Sequence, residues 1–177
     1  MTDFFIRPAA SDDDTAIDII LSTYFLDRDD LPYEDFFVAE ANNKVIGCGV
    51  FEKIKIAGAA DAAGAAGAAG DRGGPPDLNF DCSREIVFYE IHTIAVLPPY
   101  KNKGCGKMIL ERLMSEIENK MMPSVSKTVY TRTTAPAFFI RFGFSKADPA
   151  LKKQLWEECA ACGKYETCAQ TLLYKEI

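Results

Sequence analysis

The stretch HTIAVLPPYKNKGCGKMILERLMSEI, His92 to Ile117, decides how the chain is read. "HTIAVL" reads as a strand, two prolines end it, and a turn rich in lysine and glycine follows. Met108, Ile109, Leu113, Ile117 and Met121 then recur at helical spacing. Where a strand passes through glycines into a helix, the first N–H groups of that helix lack intrahelical acceptors and favour an anion. Lys101, Lys103 and Lys107 add positive charge there. A P-loop would need glycine at position 101 and a hydroxyl at 108, where lysine and methionine stand. A dinucleotide-binding turn would need a third glycine at 109, where isoleucine stands. What remains is basic-x-x-Gly-x-Gly from Lys101 to Gly106, which is either an anion site or a glycine turn with solvated lysines.

The elements on either side set the fold class. "FFIRPA" (4–9) reads as a first strand, and Ser11 as the N-cap of a helix carrying Ile17, Ile20, Leu21 and Tyr24. Asn42 and Asn43 join two strand-like runs as a hairpin turn. Residues 84–97 form a long strand, "SKTVYTR" another, and "TLLYKEI" a terminal one; "APAFFIRFGF" reads as a short helix closed by Gly143. The pattern predicts an α+β domain with a sheet flanked by helices, spanning residues 1–177 as a single unit. Residues 57–83 are a flexible Ala/Gly-rich insertion with no apolar face to dock it. Residues 151–170 form a cysteine-containing C-terminal segment, with Trp156 anchoring it.

Bulk properties exclude several functions. The net charge of -6 argues against a surface devoted to nucleic acid or acidic membranes. No run of eighteen apolar residues suggests a membrane span, and the start lacks a secretory-signal layout, so a cytoplasmic protein is expected. A homodimer is left open.

With these flanks in order, Val96-Leu97-Pro98-Pro99-Tyr100-Lys101-Asn102-Lys103-Gly104-Cys105-Gly106 resembles motif A of the GNAT superfamily, the acyl-CoA-dependent N-acyltransferases. The first basic position is lysine where that family usually has arginine or glutamine. The resemblance implies a mixed, mostly antiparallel sheet splayed between strands 4 and 5. It also implies acetyl-CoA as co-substrate, its pyrophosphate on Lys101, Asn102, Lys103, Gly104, Cys105, Gly106 and Lys107. The backbone of Ile94, Ala95 and Val96 would pair with the pantetheine arm. The acceptor would be a small-molecule amine.

Acetylating an amine by direct attack needs a base for the ammonium proton and a donor for the developing oxyanion. Glu90 is the leading base, at a position where several family members carry a glutamate. His92, the chain's single histidine, lies two residues along and so on the same strand face. The alternatives are a structural carboxylate and a packed histidine. The family's usual acid is a tyrosine four residues before Gly143, where this chain has Phe139; Tyr130 or unassisted departure of the thiolate would replace it. Cys105 is a spacer between two glycines, although a helix N-terminus could lower its pKa.

"EIHTIAV" and "YTRTTAPAFFIRFGF" resemble the acetyltransferase domain of N-acetylglutamate synthases, which points to a stand-alone amino-acid acetyltransferase with Arg132 holding the substrate carboxylate. A protein N-terminus or lysine as acceptor, and a non-catalytic acyl-CoA-binding module, are the alternatives. Cys159, Cys162 and Cys168 have partial zinc-ligand spacing; a fourth ligand would have to come from Cys48, Cys82 or Cys105, so reduced thiols without a metal are expected.

Overall fold

The computed structural model describes residues 3–28, 30–56, 86–121 and 126–177. In chain order the elements are β1 (Phe5–Pro8), α1 (Asp14–Ser22), β2 (Phe37–Ala41), β3 (Lys44–Ile56), β4 (Ile86–Val96), α2 (Cys105–Lys120) and β5 (Thr128–Thr133). They continue with α3 (Pro136–Ile140), β6 (Ser145–Lys146), α4 (Leu151–Leu155), α5 (Glu157–Ala160) and β7 (Thr171–Glu176). The strands hydrogen-bond in the order β1-β2-β3-β4-β5-β7-β6. Strands β1–β2, β2–β3, β5–β7 and β6–β7 pair antiparallel, whereas β4–β5 is parallel at Tyr89↔Val129 and Glu90↔Tyr130. The fold is therefore the expected mixed α+β one. The Ala/Gly-rich insertion lies outside the described residues.

The chain divides into two compact units, residues 1–52 with 91–121, and 53–90 with 122–177. β3 and β4 contribute a segment to each.

In the first unit, Asn42 and Asn43 both adopt positive φ (50° and 58°), which is how the two-residue hairpin between β2 and β3 closes. Ile17, Ile20 and Leu21 of α1 pack with Phe36, Val38, Cys48, Val50 and Ala95. Helix α2 lies close on the sheet because Gly47 and Gly49 carry no side chain. A methyl on Gly49 would stand 2.5 Å from Ile109 Cγ2 and 3.3 Å from the Thr93 carbonyl oxygen.

Two local expectations need correction. Ser11 does not cap α1: the helix opens through a 3-10 turn, and the Asp13 carboxylate accepts the Ala10 N–H at 2.8 Å. Asp13 also takes Arg7 Nη2 at 2.9 Å; it stands at the N-cap of α1, but its buried carboxylate bonds the preceding turn and Arg7 rather than the helix N–H groups. The buried stripe of α2 is Ile109, Leu110, Leu113, Met114 and Ile117; Met108 is exposed and Met121 is the C-cap residue. The helix faces the sheet one residue further round than the methionines suggested.

In the second unit β5 pairs along its whole length with β7, and β6 adds two residues beyond it. The core there joins Phe88, Tyr130, Ala147, Leu155, Trp156 and Leu172. The rings of Phe88, Tyr130 and Trp156 meet edge to face, with centroids 5.2 to 6.2 Å apart. Trp156 thus anchors the C-terminal segment as expected. Among the described residues no helix is long and apolar enough to cross a membrane.

Candidate active site

The glycine turn expected to hold an anion belongs to the first unit. After β4 a 3-10 turn over Pro98–Tyr100 redirects the chain. Asn102 (φ 60°) and Gly104 (φ 91°) then wind it into α2. Gly104 is the N-cap in the left-handed region, a conformation that costs any residue with a Cβ about 1–2 kcal/mol. Nothing lies within 4 Å of where its Cβ would be, so backbone conformation rather than crowding calls for glycine. The first helical bond runs from Met108 N–H to the Gly104 carbonyl at 3.1 Å. The N–H groups of Cys105, Gly106 and Lys107 therefore precede the intrahelical ladder.

The surrounding side chains are positively charged and exposed. Lys101 Nζ sits 4.2 Å from the centre of the Tyr24 ring, and Lys103 Nζ 5.6 Å from that of Tyr100. Lys107 pairs with Glu111 one turn along the helix at 3.6 Å. An open depression of about 860 Å³ lies over the turn, lined by Asn102, Lys103, Gly104 and Lys107 with Asp3, Phe4, Met108 and Glu111. Cys105 points away from it: its thiol is buried, and burial pushes it up to about 11. The lowered pKa that a helix N-terminus could have given is overridden by desolvation.

The end of β4 is tied into this unit. Leu97 N–H donates to the Ile46 carbonyl at 2.8 Å. The Tyr24 hydroxyl donates to the Val96 carbonyl, so that acceptor, within the Ile94, Ala95 and Val96 backbone, is engaged by the protein itself. His92 is half-buried on β4, with Nδ1 3.1 Å from Thr93 Oγ1 and Nε2 3.9 Å from Glu52 Oε2.

Glu90 and Arg132 belong to the second unit, on neighbouring parallel strands. Glu90 is 1% exposed. Its Oε1 accepts Arg132 Nε at 2.8 Å, and its Oε2 accepts Arg132 Nη2 at 3.2 Å and Trp156 Nε1 at 2.6 Å. The guanidinium lies 4.5 Å from the centre of the Trp156 ring. Its Nη1 reaches outward to Glu158 Oε1 at 2.7 Å and Cys159 Sγ at 3.4 Å. Burial opposes the charge of Arg132, but the hydrogen bonds and charge of Glu90 outweigh it, and the guanidinium pKa lies above its ordinary value.

Sequence reasoning thus brought Glu90 and Arg132 forward separately, one as base and one as carboxylate holder; the structure joins them. Tyr130 is fully buried in the aromatic core, and Phe139 is buried against Phe138 and Phe144. Trp156 and Glu158 beside Arg132, and in the first unit Tyr24 at the Val96 carbonyl and Glu52 near His92, were not anticipated. The lone tryptophan beside the cysteine segment was the available signal for the first; the others carried none. Among the described residues no group of three or more His, Cys, Asp or Glu could hold a metal ion, and Cys82 lies outside them.

The residues around Gly104 suit the diphosphate of an acyl-CoA: free helix-start N–H groups, a left-handed glycine and three nearby ammonium groups. Comparison with known proteins agrees. A family model described as an acetyltransferase (GNAT) domain matches residues 32–146. An uncharacterised N-acetyltransferase of Chlorobaculum tepidum is 23% identical over 146 residues, 81% of this chain and 71% of that one. Among solved structures, the N-acetylglutamate synthase of Neisseria gonorrhoeae complexed with coenzyme A and N-acetyl-glutamate superposes with a TM-score of 0.65 at 16% identity. The match covers 99% of this chain but only 35% of that one. Arabidopsis thaliana Naa50, in complex with the bisubstrate analogue CoA-Ac-MVNAL, gives 0.60 at 15% identity over 98% of this chain and 99% of that one.

Proposed function

The chain belongs to the GNAT family of acetyl-CoA-dependent N-acetyltransferases, and we propose that it acetylates the primary amine of a small molecule, an amino acid such as glutamate, by direct attack in a ternary complex. The observation that carries this reading is the left-handed Gly104 opening α2 amid Lys101, Lys103 and Lys107. It makes a metal-independent grip for the co-substrate's diphosphate, with Asn102, Cys105 and Gly106 contributing backbone. The bound acetyl-CoA supplies the acyl group.

This chain's residues then have to manage one proton. A carboxylate offers about four acceptor positions, and Glu90 has filled three of them from inside the protein. We therefore assign Glu90 to holding Arg132 and His92 to accepting the ammonium proton, directly or through water. Arg132, oriented by Glu90 and Trp156, turns Nη1 outward, where it pairs with the exposed Glu158, and that nitrogen would receive an acceptor's carboxylate.

The runner-up acceptor is a peptide N-terminus. The likeness to Naa50, which runs the whole length of both chains and whose complex holds a peptide-bearing analogue, favours it. Turnover of acetyl-CoA with free amino acids, polyamines and short peptides, followed by release of the coenzyme A thiol, separates the two. Release with amino acids but not peptides supports the proposal. Release with peptides alone supports the runner-up. Binding of acetyl-CoA without release from any acceptor would indicate a non-catalytic module.

A further inference from the structure

Around Arg132 one cation faces two carboxylates, and they are unlike. Glu90 is buried and grips the guanidinium through two nitrogens, so removing it would strand a buried charge. Glu158 meets only Nη1, from an α5 side chain that is 64% exposed. Glu90 alone already neutralises Arg132, so Glu158 is surplus charge in the cluster. An exposed ion pair of that kind is worth little in water. The guanidinium keeps its place when Glu158 leaves, because Glu90, the Trp156 ring and Cys159 Sγ still hold it.

We infer that Glu158 is an internal stand-in for the acceptor's carboxylate, occupying Arg132 Nη1 until a carboxylate-bearing substrate displaces it. The exchange swaps one carboxylate for another and leaves the local charge unchanged. It makes Glu158 a residue that tunes specificity: it raises the concentration at which carboxylate-bearing amines bind and leaves amines without a carboxylate unaffected. The inference rests on the reading that Arg132 receives the acceptor, and its test is chosen to fail separately from it.

Glu158→Gln removes the competing charge at an exposed position. Trp156 is the chain's single tryptophan and touches the guanidinium, so its fluorescence reports on the exchange without turnover. Titrated with L-glutamate, the variant is expected to bind about threefold to fivefold more tightly than the wild type. Glutamine α-amide, the diamide that carries the same amine and no carboxylate, should bind both proteins equally. In acetyl transfer the same variant should lower the KM for glutamate by that factor at constant kcat. Equal affinities of wild type and variant for glutamate, an equal shift for the amide, or no saturable signal from either protein would each overturn the inference. Exchange seen by fluorescence without acetylation of glutamate would uphold it and reject glutamate as the acceptor.

Discussion

Trp156 Nε1 and Arg132 Nε bind opposite oxygens of the one Glu90 carboxylate, at 2.6 and 2.8 Å. This makes Glu90 the centre of a buried clamp, and it separates the two candidate bases experimentally. Glu90→Gln keeps the shape but strands the Arg132 charge; breaking a buried pair from one side costs about 3–5 kcal/mol. Denaturant titration should show that loss. His92→Gln should leave stability nearly unchanged and lower kcat about 100-fold, the lower range for general-base removal, with acetyl-CoA binding intact. A stable Glu90→Gln protein with lost turnover would return the base role to Glu90.

At Asp13, the Arg7 hydrogen bond holds the carboxyl below the usual carboxylate range despite burial, and the Ala10 N–H helps. A depressed folded pKa contributes stability that is fully present above the unfolded value of about 3.9 and is lost as pH falls through the folded value. Asp13→Asn should therefore destabilise the protein most above about pH 4. The gap to wild type should close on acidification, as followed by thermal melts from neutral pH downward.

The cysteines should react in a fixed order. Burial, with the neighbouring Cys105 adding to it, pushes Cys48 up to about 12; burial alone takes Cys105 to about 11. Cys168 is exposed, and hydrogen bonding from the Gln170 N–H, helped by Lys152 and Arg132, lowers its pKa. Brief alkylation of the native protein at pH 7.5, read by mass spectrometry, should label Cys168 well before Cys48 and Cys105. Early labelling of Cys105 would contradict its burial at the start of α2.

Gly104→Ala meets no steric obstacle but forces a side chain into the left-handed region. The expected result is a loss of about 1–2 kcal/mol, in stability or in coenzyme A affinity as the turn relaxes. Calorimetric titration with coenzyme A reads the second directly. Removing Lys101 should weaken coenzyme A binding and flatten its salt dependence, since a charge contact with the diphosphate is screened by ions.

Much of this was legible in advance because it is local. Strand alternation, the Asn42-Asn43 turn, and the glycine turn into a helix depend on neighbours a few residues apart. The site's internal wiring was not legible. Glu90 lies on β4, Arg132 on β5, and Trp156 and Glu158 at the start of α5, and only the parallel pairing of β4 with β5 and the packing of Trp156 bring these three elements together. Ser11 misled because a serine before an acidic run is a good cap by residue type, whereas here it opens a 3-10 turn and Asp13 takes the N-cap position. Arg7, from β1, holds the Asp13 carboxylate there. The methionines misled because hydrophobic spacing does not distinguish Met108 from Leu110 as the edge of the buried face.

Gly49 gives the distance between α2 and the sheet a one-sided tolerance. Ile109 already sits where a first side-chain carbon at Gly49 would need to be, so substitutions there can push the helix outward but none can draw it in. The start of that helix carries Gly104 and the lysines. Drift in this part of the core would therefore move the proposed diphosphate grip in one direction only, outward from the sheet.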